Sequence, residues 1–96
     1  MSIVIIGGHD CMVCQYKKIC KKFNHKAKVF THMSADLNKQ MGQPDLYVLF
    51  TNTVSHKMVK CAMDGAKKTN AKVVRSHTSS GAALTAILEQ EAALAG

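Results

Sequence analysis

The run Ile3-Val4-Ile5-Ile6, ended by Gly7-Gly8, constrains the fold of this chain more than any other stretch. Four consecutive apolar residues with no polar alternation suit a strand covered on both faces. Such strands belong to parallel sheets with helices on either side. Residues 2–7 are therefore predicted as a first and central strand.

The stretches that follow alternate between helix and strand. Asp10 to Phe23 carries Met12, Tyr16, Ile19, Cys20 and Phe23 at helical spacing, with Lys17, Lys18, Lys21 and Lys22 opposite, and Asp10 is placed as its N-cap. Residues 27–32 form a second strand ending in His32. Residues 33–44, with Gly42 and the only proline, form a loop with one helical turn at 35–41, a candidate lid or dimer contact. Leu46 to Phe50 is a third, wholly apolar strand. Ser55 caps a helix reaching Thr69, in which Gly65 continues the apolar stripe and lets the helix sit close on the sheet. Residues 72–77 form a fourth strand, Thr78-Ser79-Ser80 a capping cluster, and 82–95 an alanine- and leucine-rich last helix.

Strict alternation with right-handed crossovers predicts an α/β fold: a single three-layer domain over residues 1–96, with a four-stranded parallel sheet in the order 2-1-3-4, Rossmann- or flavodoxin-like. Ligands of such sheets bind at the carboxyl ends of the strands.

Four histidines follow strands closely, namely His9, His32, His56 and His77, so all four are assigned to that edge; His25, at a strand start, is assigned to the far edge and the surface. The same edge receives Cys11 and Cys14, a C-x-x-C pair opening a helix. Cys20 falls in the core stripe and Cys61 at the edge of one. No apolar run approaches the roughly 20 residues of a membrane span, and residues 1–7 are too short for a signal peptide. The expected setting is cytoplasmic, away from any membrane, with thiols reduced and available to a metal. Thiolates at Cys11 and Cys14 with imidazoles at His32 and His56 are a donor set for zinc, iron or haem iron. Gly7, Gly8, His9, Met33, Ser55 and Ser79 are the neighbours expected to line the cofactor.

The same pair supports a second reading, a thiol-disulfide switch or enzyme, because a helix start stabilises a thiolate at Cys11, although Asp10 opposes this. Against that reading, the thioredoxin-type fold has a different strand arrangement and a cis-proline facing its cysteines, and the only proline here, Pro44, sits in the long loop. A third reading is an anion or nucleotide held by Gly7, Gly8, Ser55 and Ser79. Gly7-Gly8 lacks the remaining glycine of a dinucleotide fingerprint, and no phosphate-binding P-loop is present. The net charge of +7 comes from lysines with a single arginine and no tryptophan, so the lysine rows read as solvated faces and nucleic acid is not the expected partner.

Ile3-Val4-Ile5-Ile6-Gly7-Gly8, His32 after the second strand, and Thr51-Asn52-Thr53-Val54-Ser55-His56 before a lysine-bearing helix together resemble the small bacterial domain-of-unknown-function family 2325 (DUF2325). The resemblance implies a compact α/β domain, a homodimer, and His32 and His56 at the functional edge. Members carry a His-Asp-Gly-Gly-like run where this chain has His32-Met33-Ser34-Ala35-Asp36, so the histidine is carried over and the glycine turn is not. The Cys11/Cys14 pair rests on the chain's own pattern. The expectation is a binding or sensing module rather than an enzyme.

Overall fold

The computed structural model describes residues 2–32 and 37–95. Four parallel strands, β1 (Ser2–Ile6), β2 (Lys26–Phe30), β3 (Leu46–Phe50) and β4 (Lys72–Ser76), lie in the order β2-β1-β3-β4. The α/β class and the strand order are those expected. Helices α1 (Val13–Lys22) and α4 (Gly81–Ala95) pack on one face, and α2 (Leu37–Met41) and α3 (His56–Thr69) on the other.

The continuous apolar runs explain the centre of the sheet. Ile3 to Ile6 and Leu46 to Phe50 are each at most 1% exposed. Odd-numbered β1 residues Ile3 and Ile5 join Tyr16, Cys20, Val48, Phe50, Leu84 and Leu88 in the core beneath α1 and α4. Even-numbered Val4 and Ile6 join Tyr47, Leu49, Met58 and Ala62 beneath α3. A two-residue period along one strand thus supplies two cores.

Strand ends differ from the sequence reading by one or two residues, always through register. β1 pairs with β2 from Ser2↔Lys26 to Ile6↔Phe30, so β2 begins at Lys26 and stops where the glycines end β1. His32 lies two residues beyond β2 rather than on its last residue. β4 likewise ends at Ser76, opposite Phe50, leaving His77 outside. The first helix opens with a 3-10 turn, Asp10–Met12, before α1 begins at Val13. Asp10 is not its N-cap: His9 occupies that position without a side-chain cap, because the Asp10 carboxylate turns toward β2. Ser55 does cap α3, its Oγ accepting from the Met58 N–H at 3.3 Å. Ser80 accepts from the Ala83 N–H at 3.2 Å at the start of α4.

The expected lid is corrected in its described part. Leu37 and Met41 of α2 are 0% and 2% exposed, packed with Val4 and Ile6. They belong to the core beneath α3. Met33 lies outside the described residues.

Ile5 lies at the middle of this core with no exposure. Ile5→Ala is expected to cost about 2–5 kcal/mol through cavity formation, measured as the change in urea unfolding midpoint at constant slope.

Candidate functional site

The carboxyl edge is built on Gly7 and Gly8, whose φ values of +102° and +84° are in the left-handed region that favours glycine. The Gly7 N–H donates to the Phe30 carbonyl at 2.9 Å. The Gly8 N–H donates to Thr53 Oγ1 at 2.6 Å, and that hydroxyl donates to the Phe50 carbonyl at 3.1 Å. A Cβ on Gly7 would stand 2.5 Å from Val54 Cγ1, and one on Gly8 would stand 2.7 Å from the Tyr16 ring. The space a side chain would need at both glycines is therefore filled by the protein's own side chains, and both N–H groups are engaged.

Tyr16 ties this junction to the far side of the sheet. Its ring packs on Phe50 with centroids 5.3 Å apart, and its hydroxyl donates to the Ser79 carbonyl. Burial raises its pKa, Ser79 lowers it, and the nearby Cys11 raises it again. The sequence places Tyr16 only in an apolar stripe; a tyrosine there, needing a partner for its hydroxyl, was the available signal for this tether.

His32 is held by Asp10. The Asp10 carboxylate accepts the Thr31 hydroxyl and meets His32 Nε2 at 3.0 Å. Both side chains are largely exposed, 79% for His32 and 70% for Asp10. The Thr31 hydrogen bond first, then His32, holds the Asp10 carboxyl below its ordinary pKa of 3.8. Sequence spacing misses this pairing, because Asp10 and His32 are 22 positions apart and meet only once β2 lies beside β1.

Cys11 and Cys14 are both exposed, one helical turn apart at the opening of the first helix. Cys20 is buried, and burial pushes its thiol up to about 11. Cys61 is half-buried against the core beneath α3. His9 and His56 are exposed, and His77 is exposed with Nδ1 3.4 Å from Thr51 Oγ1. β1 lies between the strands leading to His32 and His56, so their backbones do not approach through strand pairing. Among the described residues, no three His, Cys, Asp or Glu side chains form a group that holds a metal ion. His25 is half-buried with its ring stacked on Phe23, a departure from its expected surface position. Of the remaining expected lining residues, Ser55 is engaged as the α3 cap and the Ser79 carbonyl by Tyr16.

The Asp10 contacts carry a pH signature. A carboxyl whose folded pKa is depressed adds stability above its unfolded pKa and loses it as pH falls through the folded value. The melting-temperature difference between wild type and Asp10→Asn should be present at neutral pH and vanish as pH falls below about 3.8. A difference that persists unchanged to lower pH would show that the carboxylate charge is not what Thr31 and His32 use.

No helix among the described residues is long and apolar enough to cross a membrane. No curated protein and no solved structure matches the chain. A family model described as "Uncharacterized protein conserved in bacteria (DUF2325)" matches residues 2–91 of the 96. That match covers β1 through most of α4, including the Gly7-Gly8 junction, His32 and His56, and the chain belongs to this family.

Proposed function

We propose that the chain is a small metal-binding module, a sensor or carrier rather than an enzyme, that holds a transition metal at the carboxyl edge of its sheet. The observation that carries this reading is the Asp10–His32 contact, with Cys11 and Cys14 exposed at the start of the same helix. A carboxylate on one ring nitrogen is the usual outer partner of a metal-binding histidine; it fixes the ring and leaves the other nitrogen for the metal. Asp10 on Nε2 leaves Nδ1 of His32. Thiolates beside an imidazole suit zinc, iron or haem iron better than hard cations.

The number of donors decides between forms of the metal. A bare zinc or iron ion asks for three or four protein ligands, and the described residues of one copy do not gather three. The reading therefore takes one of two shapes. Haem iron needs only one or two axial ligands, drawn from His32, His56 and the cysteine pair. A bare ion needs a second copy of the chain, so a homodimer with His32, Cys11 and Cys14 facing their counterparts. Wherever Cys11 or Cys14 is a ligand its thiol has to be reduced, which suits a cytoplasmic setting.

Purified protein should show either a Soret band after addition of hemin or stoichiometric zinc or iron by elemental analysis. His32→Ala should remove most of the bound species, as should Cys11→Ser combined with Cys14→Ser, with unfolding midpoints little changed because these side chains are exposed. His56→Ala should weaken the haem form. Protein that takes up neither hemin nor metal ends this reading.

A thiol-disulfide switch is the second reading, supported by the exposure of both cysteines one turn apart. Buried Cys20 is no useful reference for reactivity, so the comparison lies within the pair. Cys11 should alkylate several-fold faster than Cys14 near neutral pH; equal rates would remove the idea.

A further inference from the structure

The sheet has two lateral margins, β2 at one and β4 at the other, and each of these strands is paired on one side only. In β4 the Lys72 N–H donates to the Asp45 carbonyl at 3.4 Å, and the Ser76 carbonyl accepts from the Thr51 N–H at 2.8 Å. Lys72, Val74 and Ser76 therefore turn their backbone groups toward β3, in the register Leu46↔Lys72 to Phe50↔Ser76. Because successive residues alternate, the N–H and C=O groups of Val73 and Arg75 point away from β3. No further strand among the described residues takes them up.

An open strand is ordinarily guarded by charged side chains standing along it. β4 carries two, and both are drawn back onto helices of their own copy. Lys72 Nζ meets Glu91 Oε1 of α4 at 2.9 Å, and Arg75 Nη2 lies 3.8 Å from Met63 Sδ of α3. β2 is guarded differently. Its Lys26 and Lys28 are exposed, and the ion pairs of the described residues, Asp10–His32 and Lys72–Glu91, leave both uncompensated. Apolar side chains stand on both faces of β4: half-buried Val73 in the layer of Val59 and Met63, and half-buried Val74 in the layer of Ile87.

We propose that β4 is a docking strand for a second copy of this chain, paired antiparallel about a two-fold axis at Val74, so that the two sheets run on as one. The strand's own pattern selects this register. It sets Lys72 opposite Ser76 of the second copy, Val73 opposite Arg75, and Val74 opposite its counterpart. Val73 and Arg75 then form the hydrogen-bonded pairs, which exchange both N–H···O bonds, and every outward backbone group of the strand is used.

No like charges stand directly opposite one another in that register, whereas an axis at Arg75 would set arginine against arginine. An axis at Val73 would bring Arg75 opposite Ala71, whose N–H is already given to the Ala66 carbonyl at 3.1 Å. The patch is thus self-complementary, as an interface between two identical copies requires. It is separate from the contact that a bare metal ion would need, because His32 follows β2 at the other margin.

The test is sedimentation velocity of the full chain in reducing buffer over a concentration series, expected to show monomer passing into dimer. Arg75→Pro should stay monomeric while melting close to wild type, because the N–H it removes faces outward and an edge strand accepts proline there. Arg75→Gln keeps that N–H and should still dimerise. Val74→Cys sets two thiols at the axis, in the non-hydrogen-bonded pair whose Cα atoms approach to about 4.5 Å, within disulfide reach. Oxidation with copper phenanthroline should then give a covalent dimer joined at position 74, located by peptide mass; if Arg75→Pro fails to fold, this crosslink decides. A chain monomeric at every concentration, a dimer that survives Arg75→Pro or is lost in Arg75→Gln, or crosslinking through the native cysteines alone would each overturn the proposal.

Discussion

The close crossing at Gly7 and Gly8 is the constraint on which the carboxyl edge depends. Where β1 ends, the Tyr16 ring and the Thr53 and Val54 side chains occupy the volume that side chains on those two residues would need. That approach sets the depth at which the first helix starts. It leaves Thr53 as the hydrogen-bonding bridge between the ends of β1 and β3 and gives Tyr16 its reach to Ser79. With α1 anchored there, Asp10 stands where β2 delivers Thr31 and His32. The diglycine thus acts on the edge indirectly, by positioning the groups that carry chemistry.

The two edges of the sheet divide the polar chemistry. Imidazoles and accessible thiols collect where strands end, on side chains whose loss leaves the core intact. Lysines collect where strands begin and helices finish. There they complement the exposed carbonyls of the helix ends. Gly65 makes the second edge possible. It lets α3 rest on Tyr47, whose hydroxyl lies 2.7 Å from where a Cβ on that glycine would stand.

Much of the fold was legible because it is written in continuous apolar runs. Ile3 to Ile6 and Leu46 to Phe50 read as doubly covered strands, and alternation with amphipathic helices leaves few topologies, of which 2-1-3-4 is the one adopted. Single-residue boundaries were less legible. The end of β2 is fixed by pairing with β1, and nothing local in Phe30-Thr31-His32 marks the stop. The edge was legible as a neighbourhood: strand-end histidines do lie beyond strand ends. The contacts inside it were not, since the Asp10–His32 and Tyr16–Ser79 pairs join residues 22 and 63 positions apart.

A strand with apolar side chains on both faces also shapes how the chain reaches its fold. β1 is synthesised first, yet it gains one sheet neighbour only when β2 arrives and the other only when β3, some forty positions later, is laid down. Closing that loop costs entropy before any burial repays it, so parallel pairing is intrinsically slow. Until β3 docks, Ile3 to Ile6 form an unpaired, uncharged edge of the kind that drives association between chains. The lysine rows on α1, which emerge before β2, keep the half-built sheet cationic, and repulsion between such intermediates holds neighbouring chains apart until β3 docks.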